Sequence, residues 1–507
     1  MINITPQYIK NAGGVLQAIS LKSAEVIREL LDVKNIKQLN KSKLDILERI
    51  LVHSSPHLDE YLAVLLFRAC LPLEKLHKLQ FEEFSLHSMN NDQLAKAIWP
   101  TSAVFGIGGT HDGGAKPLIM YDEHVPEGMK RPESSCSIMT KKRHLSNIDI
   151  PLYKVISEVD HIDAYANAHN KHLGNYIKLM HDTEYIFSKG STVREDIKDP
   201  ISPIWKQSLV EACITAFILG IHDKKPFSNP DYWRKPAQDS LDHYAKHSLL
   251  KDDPKFSIAF GTLKTNISNV YNFNRIYLTI TESDNTKRQI VNKQGLPIKQ
   301  LMLMPYLAAL CQDYWGPYLG HIIMAHFWEA RIQAQISYEN IKDILKTTIG
   351  NGIHEIPYVR TPVGQLSFRH IPVMQNYNGK MRTPWVIEII LNGVMPNAKA
   401  PMLSFLNSNN NGIGYIILHN TGANNLVLNK GSNIDYTEWQ LLWDKLILLE
   451  GNSDVVGNDV AGCWHRTLSN NKIMAGFFLN GNKAHQYVPH TSLDAESLLE
   501  LVSQLKS

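Results

Sequence analysis

The pattern of apolar and polar positions predicts alternating helices and strands over the first two hundred residues. Residues 1–50 carry apolar positions at helical spacing, which indicates a helical N-terminal extension. Short apolar runs bounded by turn residues then predict strands, and longer periodic segments predict helices. The predicted strands lie within 50–55, 101–114 and 117–124, and the predicted helices within 58–72 and 151–169. Strands that alternate with helices indicate an α/β domain with a mostly parallel sheet.

The pattern changes further along the chain. Residues 201–350 are mostly helical in pattern, with a β-hairpin-like insert near 275–295. Beyond 350, strands separated by glycine and asparagine turns predominate, and an amphipathic helix closes the chain. The sequence therefore predicts four regions. They are a helical extension (1–50), a parallel-sheet α/β domain (51–200), a mostly helical region with a β insert (201–350) and a smaller α+β domain (351–507).

Composition and charge narrow the class of protein. The chain has 507 residues, 44% of them hydrophobic, and 52 basic against 49 acidic residues give a net charge of +3. This balance excludes a disordered or collagen-like chain. Five cysteines without CxxC spacing argue against a disulfide framework or a cysteine zinc site, and favour a reducing compartment. With no signal-peptide pattern and no apolar run of about 18 residues, we expect a cytoplasmic protein that does not bind membranes.

The clearest chemical feature is the run HSSPHLDE at residues 53–60. It follows a predicted strand and precedes a predicted helix, so it lies where ligand sites form at the carboxyl edge of a parallel sheet. A turn there can direct His53, His57 and Asp59 into one volume, and imidazole and carboxylate groups together suit a divalent metal. The alternative is that Asp59 and Glu60 only stabilise the helix N-terminus.

Histidine and carboxylate groups recur in two further segments, GGTHD followed by YDEH at 108–124 and EVDHID at 158–163. Asp160 and Asp163 are three residues apart and share one face of the predicted helix. Recurrence at successive strand ends favours a shared metal site over scattered surface charge.

The order of these motifs resembles that of the DHH phosphoesterase superfamily. It is most similar to the branch that includes the melanocyte-proliferating-gene exonuclease. The resembling segments are HLDE at 57–60, IGG at 107–109, YDEH at 121–124, EVDHID at 158–163 and, after a Gly-Cys pair, GFFLNGNK at 476–483. The resemblance covers about residues 50–190 and 435–507.

This resemblance implies a phosphoesterase that hydrolyses phosphodiester bonds of a nucleotide or short single-stranded nucleic acid through metal-activated water, in the manner of an exonuclease. Two divalent ions are implied, usually Mn²⁺, with Mg²⁺ or Zn²⁺ also possible. The implied metal ligands are His53, His57, Asp59, Glu123, Asp160 and Asp163. The implied catalytic residues are His124 and Asp122, and the implied substrate-binding residues are Arg466, Gly481, Asn482 and Lys483. Trp464 is expected to offer an aromatic face to a base.

Two positions depart from the family pattern and keep alternatives open. Gly106 stands where the family has a metal-bridging aspartate, and Glu123 replaces the first histidine of the Asp-His-His motif. One alternative is therefore a catalytically degenerate module that binds a nucleotide or a protein, with the 201–350 region as the surface for a protein partner or a homodimer. Another is a phosphatase for a small phosphorylated metabolite. The segment around Gly481 is also compatible with an ordinary hairpin turn.

Overall fold

The computed structural model shows a mixed helix-and-strand protein, as the sequence predicts. It describes residues 1–31, 39–53, 56–84, 99–107, 116–122, 134–145, 152–165, 171–182, 203–268, 277–281, 287–291, 295, 297–350, 355–361, 364–372, 375–377, 380–382, 385–392, 413–420, 425–431, 434–451, 463–468, 474–480 and 491–505.

The described helices, numbered in chain order, are α1 (Pro6–Ala12), α2 (Val15–Leu30), α3 (Lys41–Ile46), α4 (Leu58–Ala69), α5 (Leu73–Leu76), α6 (Ser135–Lys142), α7 (Leu152–Tyr165), α8 (Leu173–Asp182), α9 (Pro203–His222), α10 (Pro230–His247), α11 (Phe256–Ser268), α12 (Met304–Gly350), α13 (Tyr436–Glu450) and α14 (Ala495–Ser503).

The described strands are β1 (Arg49–His53), β2 (Gln80–Phe84), β3 (Ser102–Phe105), β4 (Ile119–Tyr121), β5 (Thr279–Thr281), β6 (Lys287–Gln289), β7 (Glu355–Thr361), β8 (Gly364–Pro372), β9 (Gln375–Tyr377), β10 (Lys380–Arg382), β11 (Trp385–Asn392), β12 (Ile413–Asn420), β13 (Asn425–Lys430), β14 (Trp464–Leu468) and β15 (Met474–Asn480).

Contacts divide the chain into two compact units. The first consists of Met1–Val125, Met129–Ile280 and Gln289–Ile332, and the second of Pro126–Gly128, Thr281–Arg288 and Gln333–Ser507. The four regions expected from the sequence remain predictions. None of the helices in the described ranges combines the length and the apolar character that crossing a bilayer requires.

The first unit contains a small parallel sheet with the strand order β2-β1-β3-β4. Each neighbouring pair of these strands is parallel. The carboxyl ends of parallel strands lie at one edge of a sheet. His53 ends β1, Gly106 follows β3 and Asp122 follows β4, so three predicted site segments leave the sheet at the same edge.

Helix α4 begins directly after this edge and is buried at all 12 of its residues. It packs against α2, α6, α7 and α9, which surround it. Burial of Arg68 on this helix requires a counter-charge, because an uncompensated buried ion is strongly destabilising. Glu211 of α9 supplies it at 2.6 Å, and the same guanidinium nitrogen donates to Ser20 Oγ of α2 at 2.7 Å. This network ties three helices together in the core.

Helix α12 changes direction part-way along its length. Gly316 adopts φ 80° and ψ 165°, and Pro317 follows it. A positive φ is readily available only to glycine, and proline removes a helical hydrogen bond, so the two residues together produce the bend. Beyond the bend, a Cβ added at Gly320 would lie 2.9 Å from the carbonyl oxygen of Cys311, so this position also requires glycine.

The second unit is built on a seven-stranded sheet with the order β14-β15-β13-β12-β11-β8-β7. Strands β11 and β12 are parallel, and each of the other neighbouring pairs in the sheet is antiparallel. Helices α13 and α14 contribute to a core with the sheet in which Trp439 stacks on Phe478 with ring centroids 4.1 Å apart. Trp464 is fully buried in the same core.

A buried carboxyl on α12 makes the stability of the first unit sensitive to pH. Glu329 is 1% exposed, and its Oε2 has no hydrogen-bond partner among the described residues. Burial raises the pKa of Glu329 to about 7, although a hydrogen bond from Tyr244 of α10 opposes this rise. The folded protein therefore holds this proton at pH values where an unfolded chain releases it.

We predict that Glu329→Gln stabilises the protein at pH 8 and flattens the pH dependence of its unfolding free energy. Since the folded pKa is raised, the wild type loses stability as pH rises from about 4.5 to about 7, by about 3 kcal/mol at most. The neutral amide removes this loss. Urea unfolding of both proteins between pH 5 and pH 8 measures the pH dependence of the unfolding free energy, and Glu74→Gln, at an exposed residue, is the control. An unchanged slope in Glu329→Gln would contradict the prediction.

Candidate metal centre

Three predicted ligands come together at the start of α4. One ligand atom from each of His57, Asp59 and Asp163 lies within 4.8 Å of the other two. Asp59 is buried, Asp163 is half-buried and His57 is exposed. The cluster therefore has a buried acidic side and a side that opens to solvent.

The start of α4 fixes two of these residues in register. His57 is the N-cap of the helix, and Asp59 is its second residue. Glu60 Oε2 accepts a hydrogen bond from the His57 backbone N–H at 2.7 Å, which closes the first turn. The partial positive charge of the helix N-terminus favours both carboxylates. The helix-capping interpretation of Glu60 is thus correct, and it coexists with the cluster.

A distant histidine holds the loop that leads into α4. His181 of α8 donates from Nε2 to the Pro56 carbonyl oxygen at 2.8 Å, since that oxygen can only accept. Its Nδ1 is then an acceptor and lies 3.3 Å from the ammonium of buried Lys206. The His181 ring also stacks on Tyr61 of α4, with centroids 6.4 Å apart. These residues had no recognisable signal in the sequence, because their partners are far away along the chain.

The two aspartates of α7 have different surroundings. Asp163 belongs to the cluster, whereas Asp160 accepts hydrogen bonds from the hydroxyls of Ser134 and Ser137 at the start of α6. Burial raises the pKa of the Asp160 carboxyl, and the two serine hydroxyls oppose this rise. Asp160 therefore joins α7 to α6, while Asp163 is the residue of this pair placed beside His57 and Asp59.

The glutamate of the same motif anchors α7. Glu158 Oε1 accepts from the backbone N–H of Leu301 at 2.6 Å and of Met302 at 3.0 Å. It also accepts from His172 Nε2 at 2.8 Å, because Nδ1 of that ring receives the Gly174 N–H at 3.0 Å. These bonds fix α7 against the segment that precedes α12, and so fix the position of Asp163.

Cys136 is buried close enough to Asp160 and Asp59 to be affected by their charges. Its thiol is fully enclosed, and burial raises its pKa well above the ordinary value, with Asp160 and Asp59 raising it further. The thiol therefore stays protonated near neutral pH, and it is not one of the three clustered ligands.

The donor set fits one divalent cation. Metal bonds to imidazole nitrogen and carboxylate oxygen are about 2.0–2.2 Å long, so two ligand atoms on one ion are at most about 4.4 Å apart. The ligand atoms of the cluster lie within 4.8 Å of one another. This separation is at most a few tenths of an ångström more than a shared ion allows, and small side-chain movements can remove the difference. Two carboxylates and a neutral imidazole balance a charge of +2. Mixed nitrogen and oxygen ligands suit Mn²⁺ or Zn²⁺ better than Mg²⁺.

The space beside Gly106 is occupied by a neighbouring side chain, that of Glu60. Gly106 has φ +59°, and a Cβ built there would lie 2.8 Å from both Cδ and Oε1 of Glu60. A side chain at 106 would therefore need a left-handed backbone and displacement of the buried residue that closes the first turn of α4. Glycine at 106 and glutamate at 60 are compatible, and an aspartate at 106 is not compatible with Glu60 in this position.

The remaining predicted site residues are only partly described. His53 is the last residue of β1, Asp122 is buried directly after β4, and Arg466 lies in β14 opposite Phe478. The side chains of His53 and Arg466 are not described. Glu123, His124, Gly481, Asn482 and Lys483 lie outside the described residues.

The prediction that Trp464 offers an aromatic face to a base is wrong. This side chain is 0% exposed, and its Nε1 donates to Glu450 Oε2 at 2.8 Å. A ring enclosed in the core cannot stack on a base. The alternation of the strand turns Trp464 to the core side of the sheet, which its proximity in sequence to His465 and Arg466 did not indicate.

No protein-family model, no curated protein and no solved structure matches the chain. Support for a metal centre therefore comes from the residues and distances above.

We predict that Asp163→Asn weakens Mn²⁺ or Zn²⁺ binding by more than about 100-fold, because it removes a ligand. Asp160→Asn is the matched control on the same helix. We expect it to weaken binding by less than about 100-fold, since partners that only orient ligands typically contribute about 10–100-fold. Calorimetric titration of the metal-free protein with each ion measures both. Equal losses in the two variants would contradict the assignment of Asp163 as the ligand.

We predict that Gly106→Ala destabilises the protein by at least about 1–2 kcal/mol, because an L-residue pays this much in the left-handed region and Cβ also meets Glu60. Gly261→Ala is the matched control. Gly261 lies within α11 with nothing near its added Cβ, so alanine there should stabilise by about 0.5–1 kcal/mol. Chemical denaturation of both variants gives the comparison, and a neutral Gly106→Ala would be inconsistent with the close contact to Glu60.

Proposed function

We propose that the protein is a divalent-metal-dependent phosphoesterase. It hydrolyses phosphodiester bonds of a nucleotide or short single-stranded nucleic acid by attack of activated water. Residues 51–200 would form a DHH-like domain that holds the metal, and the α+β region at 351–507 would bind substrate. Mn²⁺ is the preferred ion, with Zn²⁺ and Mg²⁺ as alternatives. The cytoplasmic location stays a prediction from the sequence.

The observation that carries this proposal is the convergence of His57, Asp59 and Asp163. Asp163 is more than one hundred residues from His57 in the chain, yet their ligand atoms lie within 4.8 Å of each other and of Asp59. The three residues come from two of the motifs that resemble the DHH superfamily. A set of helix-stabilising surface charges does not require such convergence.

The chain's own residues have distinct tasks in this reaction. Asp59 and Asp163 place negative charge where a cation binds, and His57 lies on the exposed side, where substrate enters. Glu60 holds the His57 backbone, and His181 holds the loop through Pro56. When bound, a divalent cation supplies a Lewis acid that polarises a phosphoryl oxygen and lowers the pKa of water. Asp122 and His124 remain the predicted acid-base and orienting residues.

One observation favours the catalytically degenerate alternative. Gly106 provides no carboxylate at the position of the family's bridging aspartate, and Glu60 fills the adjacent space. Among the described residues, one three-ligand group forms, which corresponds to one ion and not two. A protein that binds metal and nucleotide without turnover would have the same features. The 201–350 region would then provide the surface for a partner protein or a second copy of the chain.

Hydrolysis assays with Mn²⁺ distinguish the two functions. We expect the wild type to release nucleotides from a single-stranded oligonucleotide of about five nucleotides. In Asp59→Ala we expect the rate of release to fall by at least about 100-fold. Asp45→Ala, at an exposed acidic residue of α3, is the control and should retain full activity. A mononucleotide phosphate assayed in parallel tests the small-metabolite phosphatase alternative.

Two outcomes would contradict the proposal. Full activity in a chelator, or in Asp59→Ala, would exclude metal-assisted hydrolysis at this centre. Stoichiometric metal binding that depends on Asp163, together with no turnover of either substrate, would establish the binding function instead.

A further inference from the structure

Three histidines meet in the first unit, where α10 lies beside the part of α12 that follows its bend. His243 and His247 are one helical turn apart on α10, and His321 belongs to α12. The centroid of the His243 ring is 4.4 Å from that of His321 and 4.9 Å from that of His247. Packing of the two helices therefore brings together imidazoles from segments that are distant in the chain.

The spacing of these rings is close to the spacing on a shared metal ion. Two histidines four residues apart on a helix lie on one face, as they do in helical zinc sites. Metal–nitrogen bonds of about 2.0–2.1 Å place the ring centroids of two imidazoles on one tetrahedral ion about 5 Å apart. The observed separations of 4.4 and 4.9 Å are near this value. The two helices thus hold the rings at about the distance that a common ion requires.

The three rings are available for a ligand. His243 and His247 are exposed, and within the described part of the chain neither forms a hydrogen bond or an ion pair. His321 is half-buried, and its Nδ1 is enclosed without a hydrogen-bond partner among the described residues. Its ring stacks on that of His243 with the planes 16° apart, so the nitrogen atoms of the three rings do not yet converge on one point. Rotation of the two exposed rings about their side-chain bonds is the movement that metal binding requires.

The surrounding charges favour the neutral form of the imidazoles, which is the form that binds metal. Burial lowers the pKa of His243, and His247 and Lys246 lower it further. Burial also lowers the pKa of His321, with His243 adding to this effect and Asp239 opposing it. Asp239 is exposed and lies one turn before His243 on α10. Its carboxylate offsets the positive charge of Lys246 and offers an oxygen ligand on the same helix.

We propose that His243, His247 and His321 bind one divalent transition-metal ion, which joins α10 to α12. Imidazole nitrogen suits Zn²⁺, Ni²⁺ and Cu²⁺, whereas Mg²⁺ prefers oxygen ligands. Asp239 or a water molecule would complete a tetrahedral set around Zn²⁺. The ion would stabilise the fold, because a ligand that binds only the folded state adds to its stability. None of these residues belongs to the His57 cluster, so the proposal does not depend on the phosphoesterase function.

Calorimetric titration of the full-length protein with Zn²⁺ tests the proposal. The Asp163→Asn variant lacks a ligand of the His57 cluster, so the zinc binding that it retains reports the histidine site. We expect Asp163→Asn to bind one zinc ion, and His321→Ala in that background to weaken this binding at least about tenfold, because a ligand contributes no less than a residue that only orients one. His77→Ala, at an exposed histidine of the first unit, is the control and should leave zinc affinity unchanged.

Melting temperatures separate a metal site from ordinary packing. Zn²⁺ should raise the melting temperature of the Asp163→Asn protein, and Mg²⁺ should not. His247→Ala in the same background should abolish the rise with zinc but melt as its parent does in EDTA, because this side chain is exposed.

The count of bound zinc ions in the wild type gives a test that does not need the Asp163 variant to fold. His247→Ala and His321→Ala should each lower this count by one. No zinc binding in folded Asp163→Asn, or equal zinc affinity with and without His321, would overturn the proposal.

Discussion

Complete burial of α4 is the constraint on which the first unit depends. A helix enclosed at every residue cannot leave charged groups unsatisfied, because burying an unpaired charge costs several kcal/mol. Its two ends meet this requirement differently. Arg68 near the C-terminus pairs with Glu211 in the core, whereas Asp59 and Glu60 lie at the N-terminus, where the helix itself favours negative charge. The candidate metal centre forms at this end, where the helix meets the edge of the parallel sheet.

Residues far apart in the chain hold that centre in place. His181 fixes the loop before α4, Glu158 and His172 fix α7, and the serines at the start of α6 hold Asp160. As a result, two aspartates three residues apart on one helix have different environments, one within the cluster and one within a structural hydrogen-bond network. The three-residue spacing on one helix could not distinguish these roles.

The first unit also separates its charges. The His57 cluster brings two carboxylates together, whereas the basic residues Lys171 and Arg331 line the same cleft elsewhere in this unit. The net charge of +3 reflects neither feature, because opposite local excesses cancel in the sum. The local distribution of charge is therefore more informative than the net charge.

The sequence by itself determined the local elements of this protein. Hydrophobic periodicity and turn residues predicted β1, α4, β3, β4 and α7, because these signals depend on residues close together in the sequence. Motif order also identified His57, Asp59 and Asp163 as candidates. Only the tertiary structure decided that these three converge, that Asp160 binds serines, that Trp464 is enclosed and that Glu60 occupies the space beside Gly106. Each of these outcomes depends on packing between segments distant in the chain, and such packing leaves no periodic signal in the residues that take part.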